Sequence, residues 1–379
     1  CSDVSEAFDR VSKQRLVRKL ENKGLRGPLF NVLSSWLETR KAQVVVEGVK
    51  SEAAALKDQV FQGTVLGPPL WNVFFEDARR PVRKEGFTDI FFADDLNCYR
   101  SHARGCNNIV LYEEMGECQR ELHRWGAANQ VEFDSGKESF HVLHRRDPEG
   151  ESFRVLGVLW DTKLSMEPEC EERSKKAFVK LRALLKVRWF YTLPELMQLY
   201  KTHVLSVLEF PIPAVYHATD TALEFLNKAQ RYFLRELGLT AEQALVDHRL
   251  APLNTRRDIA LLGLVHRTVL GEGPPHFKKW FFPQVRPRHQ YTTRLQNNRH
   301  DKQLHDWLDG DHTELLRRSP LGLARVYNKL SQGVVNKNSV KDFQAALQEE
   351  VKLAAQGLSL IHISEPTRQE AISFAVLWL

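Results

Sequence analysis

The order of sequence signals divides this chain into an α+β part followed by a part built from helices alone. Strand-forming runs and amphipathic helices alternate as far as about Leu159, whereas beyond Pro168 only helical periodicity remains. With 379 residues and 42% hydrophobic content, the chain has length and apolar surface for a core in each part.

Taken in order, Cys1–Val4 reads as a short strand. Leu16, Val17 and Leu20 share one face of a helix, with Ser12 or Asp9 as its cap and Gly24 as its stop. A second helix starts near Pro28 with the apolar stripe Leu29, Val32, Leu33, Trp36 and Leu37. Gln43–Glu47 and Ala53–Leu56 read as extended runs of a hairpin around Gly48. The loop Gln62-Gly63-Thr64 leads into a helix whose first turn takes Pro68 and Pro69. In TDIFFADDLNCYR, Thr88–Arg100, strand formers flank two adjacent carboxylates, which predicts a hairpin with Asp94 and Asp95 at its tip. A helix through Met115–Trp125, short strands around Val131–Phe133 and His141–Leu143, and a strand at Val155–Leu159 close the α+β part.

In the helical part, Arg173, Lys175, Lys176, Lys180, Arg182, Lys186 and Arg188 are interleaved with Phe178, Trp189, Phe190 and Tyr191. That pattern suits a face that tracks nucleic acid, and equally a solvated amphipathic helix. Helices continue to about Ala355, broken by GEGPPHFKKWFFP and by the basic RPRHQYTTRLQNNRH, a linker or basic arm. A formal charge of +6 and an isoelectric point near 9.0 favour a polyanionic partner. The five cysteines form no C-x-x-C pair or zinc-finger spacing and read as free thiols. No apolar run reaches the length of a membrane span.

Two adjacent carboxylates at a hairpin tip and a third, Asp3, at the end of a separate strand make a hard-oxygen set of the kind that holds divalent cations. Nucleotidyl transfer uses two such ions. The sequence motifs then occur in a set order: DVSEAFDRV at Asp3–Val11, QGTVLGPPL at Gln62–Leu70, FADDL at Phe92–Leu96, DSGK at Asp134–Lys137 and LGVLWDTKLS at Leu156–Ser165. In these five segments the chain resembles the reverse transcriptases of non-LTR, LINE-like retrotransposons, where they are motifs A to E of the polymerase palm.

The resemblance implies a palm over residues 1–166, an antiparallel sheet with packed helices, then a helical thumb over 167–240 and a helical, basic post-thumb region over 241–357. The fingers would precede Cys1 and are expected to be missing, so the chain is read as a fragment inactive alone. LSLIHISEPTR and the tail after it, residues 358–379, resemble a translated sequencing-library adapter and are excluded from the fold.

By the same resemblance Asp3 and Asp94 bind two Mg2+ ions, for which Mn2+ can substitute. Asp95 completes the acidic cluster, and Val4 lends a carbonyl. Phe8 matches the steric gate against a ribose 2′ hydroxyl, and Gln62 and Gly63 the loop at the templating base. Lys137 matches the general acid for pyrophosphate, although alone it reads as a surface lysine. Leu156, Gly157 and Val158 match the primer-grip turn. The implied partners are an RNA template, a DNA primer and deoxynucleoside triphosphates, with no membrane, in the nucleus or cytoplasm. The alternative is a non-catalytic retroelement relic that keeps the fold as a nucleic-acid-binding module.

Overall fold

The computed structural model describes residues 2, 4, 7–56, 58–60, 63–103, 105–284, 300–308 and 314–356. Asp3, Gln62, most of the basic arm and the adapter-like tail lie outside them. The architecture is α+β, with small antiparallel sheets and many helices, and it divides into two units, Cys1–Gly150 and Glu151–Leu379.

In the first unit, α1 spans Lys13–Asn22 and buries Leu16 and Leu20, one turn apart on its inner face. Gly24, at φ +87°, follows its end, where an L side chain would be strained. Ser12 stands at the N-cap of α1, one of the two residues expected there, but without the side-chain bond. Asp9 lies in a 3-10 turn, Ala7–Arg10, and the Lys13 N–H donates to Asp58 at 3.2 Å. Helix α2, Gly27–Glu38, buries Leu33 and Leu37 but leaves Leu29 and Val32 more than half exposed. Its apolar stripe is wider than its contact, and Phe30 and Trp36 complete the packed side instead.

Strands β1 (Lys41–Ala42), β2 (Val45–Val46), β3 (Val49–Lys50) and β4 (Ala54–Ala55) form a nested hairpin, β2 on β3 inside and β1 on β4 outside. Its loop, Glu47-Gly48, has both residues at positive φ, as a type I′ turn requires. Helices α3 (Gly67–Phe75) and α4 (Arg79–Lys84) follow, and α3 has proline in its first turn as expected. Strands β5 (Thr88–Phe92) and β6 (Asp95–Tyr99) form the predicted carboxylate hairpin. Helix α5, Asn108–Asn129, is started by the Asn107 side chain, which accepts the Ile109 N–H at 2.9 Å. The two short strands expected after it reduce to single bridges, Val4 to Phe133 and Val142 to Glu149, because the chain turns at Asp134 directly after Phe133. One core, built on Leu16, Leu37, Trp71, Phe74, Phe75 and Leu96, joins these elements.

In the second unit the strand expected over Val155–Leu159 is a hairpin, β7 (Phe153–Val155) against β8 (Val158–Trp160). Leu156 and Gly157, at φ +49° and +77°, make the turn between them. Asp161 then accepts the N–H groups of Ser165 at 3.0 Å and Met166 at 2.7 Å at the entrance to α6, Glu167–Lys186.

The helices after it are α7 (Leu193–Tyr200), α8 (Ser206–Glu209), α9 (Ile212–Val215), α10 (Asp220–Glu236), α11 (Ala241–His248) and α12 (Leu253–Val269). Then come α13 (Glu314–Arg318), α14 (Leu323–Tyr327), α15 (Gln332–Val335) and α16 (Val340–Ala355). Helix α6 packs along α10, where Ser174 donates to the Phe225 carbonyl at 2.7 Å. Tyr200 stacks on Phe233 at 4.1 Å in the same core. A second core lies between α12, α14 and α16, with His266 stacked on Phe343 at 4.0 Å and bonded to the Tyr327 hydroxyl at 2.9 Å. No described helix is long and apolar enough to cross a membrane.

Candidate active site

The acidic hairpin has Phe92 paired with Asp95, so Ala93 and Asp94 alone form its loop. Asp94 and Asp95 are both half-buried. Ala93 has φ +54°, the sign that the first position of a type II′ turn demands, and alanine holds it at a cost of order 1 kcal/mol. The Trp71 indole N–H donates to the Ala93 carbonyl at 2.8 Å and so fixes the loop from α3. Trp71 is itself buried, stacked on Phe75 at 4.9 Å and 5.6 Å from Phe8 between ring centres. One side chain therefore touches both the carboxylate loop and the aromatic of the first motif.

Ser2 and Leu96 exchange both backbone hydrogen bonds, at 2.8 and 2.9 Å, in antiparallel pairing. Asp3 lies outside the described residues, but its neighbour in sequence is thus held beside the residue that follows Asp95. Val4 is buried and bridged to Phe133. The Ser2 hydroxyl also donates to Glu138 at 2.9 Å. Glu138, whose side chain is only 4% exposed, further accepts from Gln119 at 2.7 Å and meets the His123 ring at 2.9 Å. These bonds knit the first motif, the hairpin and the DSGK turn into one framework. Sequence reading missed Ser2, Trp71 and Glu138, since each acts on a partner distant in the chain.

Phe8 is half-buried, and its carbonyl accepts the Val60 N–H at 2.7 Å. Gly63 has φ +83° with open space where a Cβ would stand, so its backbone conformation, not crowding, calls for glycine. Gln62 lies outside the described residues. Lys137 closes a turn in which Asp134 accepts the Gly136 N–H at 3.0 Å, and the lysine head lies 3.4 Å from the Asp134 carboxylate, well exposed. Leu156 and Gly157 belong to the second unit, with Gly157 beside the Phe210 ring. Asp161 engages backbone N–H groups with its carboxylate at the entrance to α6. Burial works to raise its carboxyl, but the Ser165 and Met166 N–H groups hold it below the usual carboxylate range.

Among the described residues no three acidic, histidine or cysteine side chains gather as a metal site. Asp94 and Asp95 alone fit a magnesium-sized ion in chemistry, since such ions take one or two carboxylates and complete their shell with water and substrate phosphates.

Residues 1–159 match the family model of the reverse transcriptases, RNA-dependent DNA polymerases. Over this segment the chain is similar to a reverse transcriptase domain. The chain is 24% identical over 257 residues to the RNA-directed DNA polymerase from mobile element jockey of Drosophila funebris, covering 62% of this chain and 28% of that protein. It is 33% identical over 119 residues to the probable RNA-directed DNA polymerase from transposon BS of Drosophila melanogaster, covering 28% and 13%. Over 217 residues it is 27% identical to the probable polymerase from transposon X-element of the same fly, covering 52% and 24%. The matches span less than a third of each of these relatives. The expected likeness to the reverse transcriptases of non-LTR, LINE-like elements is borne out.

Proposed function

We propose that the chain is the palm (1–166), thumb (167–240) and post-thumb (241–357) portion of an RNA-directed DNA polymerase of a non-LTR retrotransposon. The whole polymerase extends a DNA primer with deoxynucleoside triphosphates on an RNA template, and this portion without its fingers is inactive alone. The observation that carries this reading is the pairing of Ser2 with Leu96, which places the sequence neighbours of Asp3 and Asp95 on adjacent strands.

Asp3 and Asp94, with the Val4 carbonyl, would hold the two Mg2+ ions, and Asp95 would complete the cluster. When bound, the ions supply an activated 3′ hydroxyl and charge neutralisation at the triphosphate. Phe8, braced on Trp71, closes the space that a ribose 2′ hydroxyl would need. Gln62 and Gly63 would meet the nascent base pair, and the Lys137 Nζ would deliver a proton to the departing pyrophosphate. Leu156 and Gly157 set the primer end.

The test is primer extension on RNA by the polymerase carrying this segment. Asp94→Ala should reduce extension to background while leaving the thermal unfolding profile in place. Extension undiminished in that variant would refute the reading, and a salt-sensitive binder without extension would point to a relic.

A further inference from the structure

The geometry points to a second nucleic-acid contact, a base-stacking knuckle at Trp189 and Phe190 that takes an unpaired strand, RNA or DNA, with Arg182 and Lys186 on its phosphates. This goes beyond the catalytic reading and needs no turnover. Trp189 and Phe190 are 79% and 84% exposed, and Tyr191 beside them is also exposed. They stand in the turn between α6 and α7, and that turn is fixed. Phe190 and Tyr191 donate their N–H groups to the carbonyls of Val187 and Arg188, at 3.1 and 3.2 Å. Arg188 reaches the Glu236 carboxylate of α10 at 3.2 Å, and Thr192 and Glu195 form a capping box at the start of α7. Rigid, exposed aromatics form a surface on which bases stack whatever their sequence, and a fixed backbone removes part of the ordering cost.

The charge around the knuckle selects a polyanion over an apolar protein partner. From Arg173 to Thr192 the chain carries seven basic residues and no acidic one. Arg173, Lys175 and Lys176 are matched by Glu169, Glu171 and Glu172 one turn earlier. Among the described residues Lys180, Arg182 and Lys186 have no carboxylate partner. Arg182 and Lys186 lie one turn apart on the face of α6 opposite the buried Ala177, Leu181 and Leu184, within seven residues of Trp189 in the chain. Arg188 lies over one face of the Trp189 ring at 4.6 Å, a cation stacked on the aromatic.

The experiment is fluorescence anisotropy of the whole chain with labelled oligouridylate, oligodeoxyuridylate and a duplex of equal length, at several salt concentrations. The expected result is that Trp189→Ala with Phe190→Ala weakens single-strand binding by about tenfold or more and leaves duplex binding nearly unchanged. Trp189→Tyr with Phe190→Tyr should restore it. Arg182→Gln with Lys186→Gln should lower the salt slope by about 1.4, two phosphates' worth for a single strand. Equal loss on both oligomers assigns the site to any unpaired strand, and loss on one names the sugar. Binding is read without magnesium or nucleotide, so failure of the catalytic reading does not move this result. The proposal is overturned if the alanine pair binds single strands with the parent's affinity and slope, if the chain binds none, or if the pair changes only the oligomeric state in light scattering.

Discussion

The indole of Trp71 fixes a loop conformation that alanine adopts only at a cost, because its N–H holds the Ala93 carbonyl from a buried position. Trp71→Phe keeps the ring stack and removes the donor, which should lower stability by about 1 kcal/mol in thermal unfolding and slow primer extension. An unchanged melting temperature and rate would mean the loop holds itself. In the second unit, burial pushes the Asp258 carboxyl up to about 6, against the Tyr216 hydroxyl at 2.7 Å and Arg257, which favour its charged form. Its unfolded value is about 3.9, so the stability it contributes is full below that pH and is lost as pH rises through about 6. Asp258→Asn should flatten that fall in urea midpoints measured between pH 4 and 7, and a slope like the parent's would assign the effect to other groups. The carboxylate pair at Asp94 and Asp95 was legible because strand formers flank it. Trp71 and Glu138 were not, because their partners Ala93 and Ser2 lie 22 and 136 positions away, beyond the reach of local spacing.

At the scale of elements, periodicity located α1, α3 and the carboxylate hairpin and failed where tertiary contact overrode it. The α2 stripe was read too wide, since apolar residues mark what a helix can bury and not what meets it. The strand expected over Val155–Leu159 became a hairpin because Leu156 and Gly157 both take positive φ, a conformation that leucine seldom signals. Gly126 of α5 has a steric requirement set partly by backbone: an added Cβ would stand 2.7 Å from the Val131 carbonyl oxygen and 3.0 Å from the Phe133 ring. Backbone cannot yield as a side-chain tip can. Gly126→Ala is therefore expected to cost about 1–3 kcal/mol in chemical denaturation, and a neutral result would show that α5 shifts freely on the segment that bridges Val4.

For the whole molecule, the boundary between the units falls at Gly150, ahead of the β7–β8 hairpin, while the change from mixed elements to helices alone followed from the loss of strand-forming runs beyond Pro168. The number of cores did not, because amphipathic helices of one kind line both apolar clusters of the second unit. Each unit carries buried clusters of its own. Residues 151–379 produced separately should therefore unfold cooperatively, and a gradual, featureless melt would show that their packing depends on the first unit.

The bond from Trp71 to Ala93 also makes a spectroscopic handle. An indole proton that is buried and held at a hydrogen-bonded carbonyl exchanges slowly with solvent, and each of the eight tryptophans contributes one such resonance in a nitrogen-15 correlation spectrum. The resonance lost in Trp71→Phe belongs to the carboxylate loop. Titrating magnesium while following that single peak would then report whether cations reach the loop without any nucleotide or turnover.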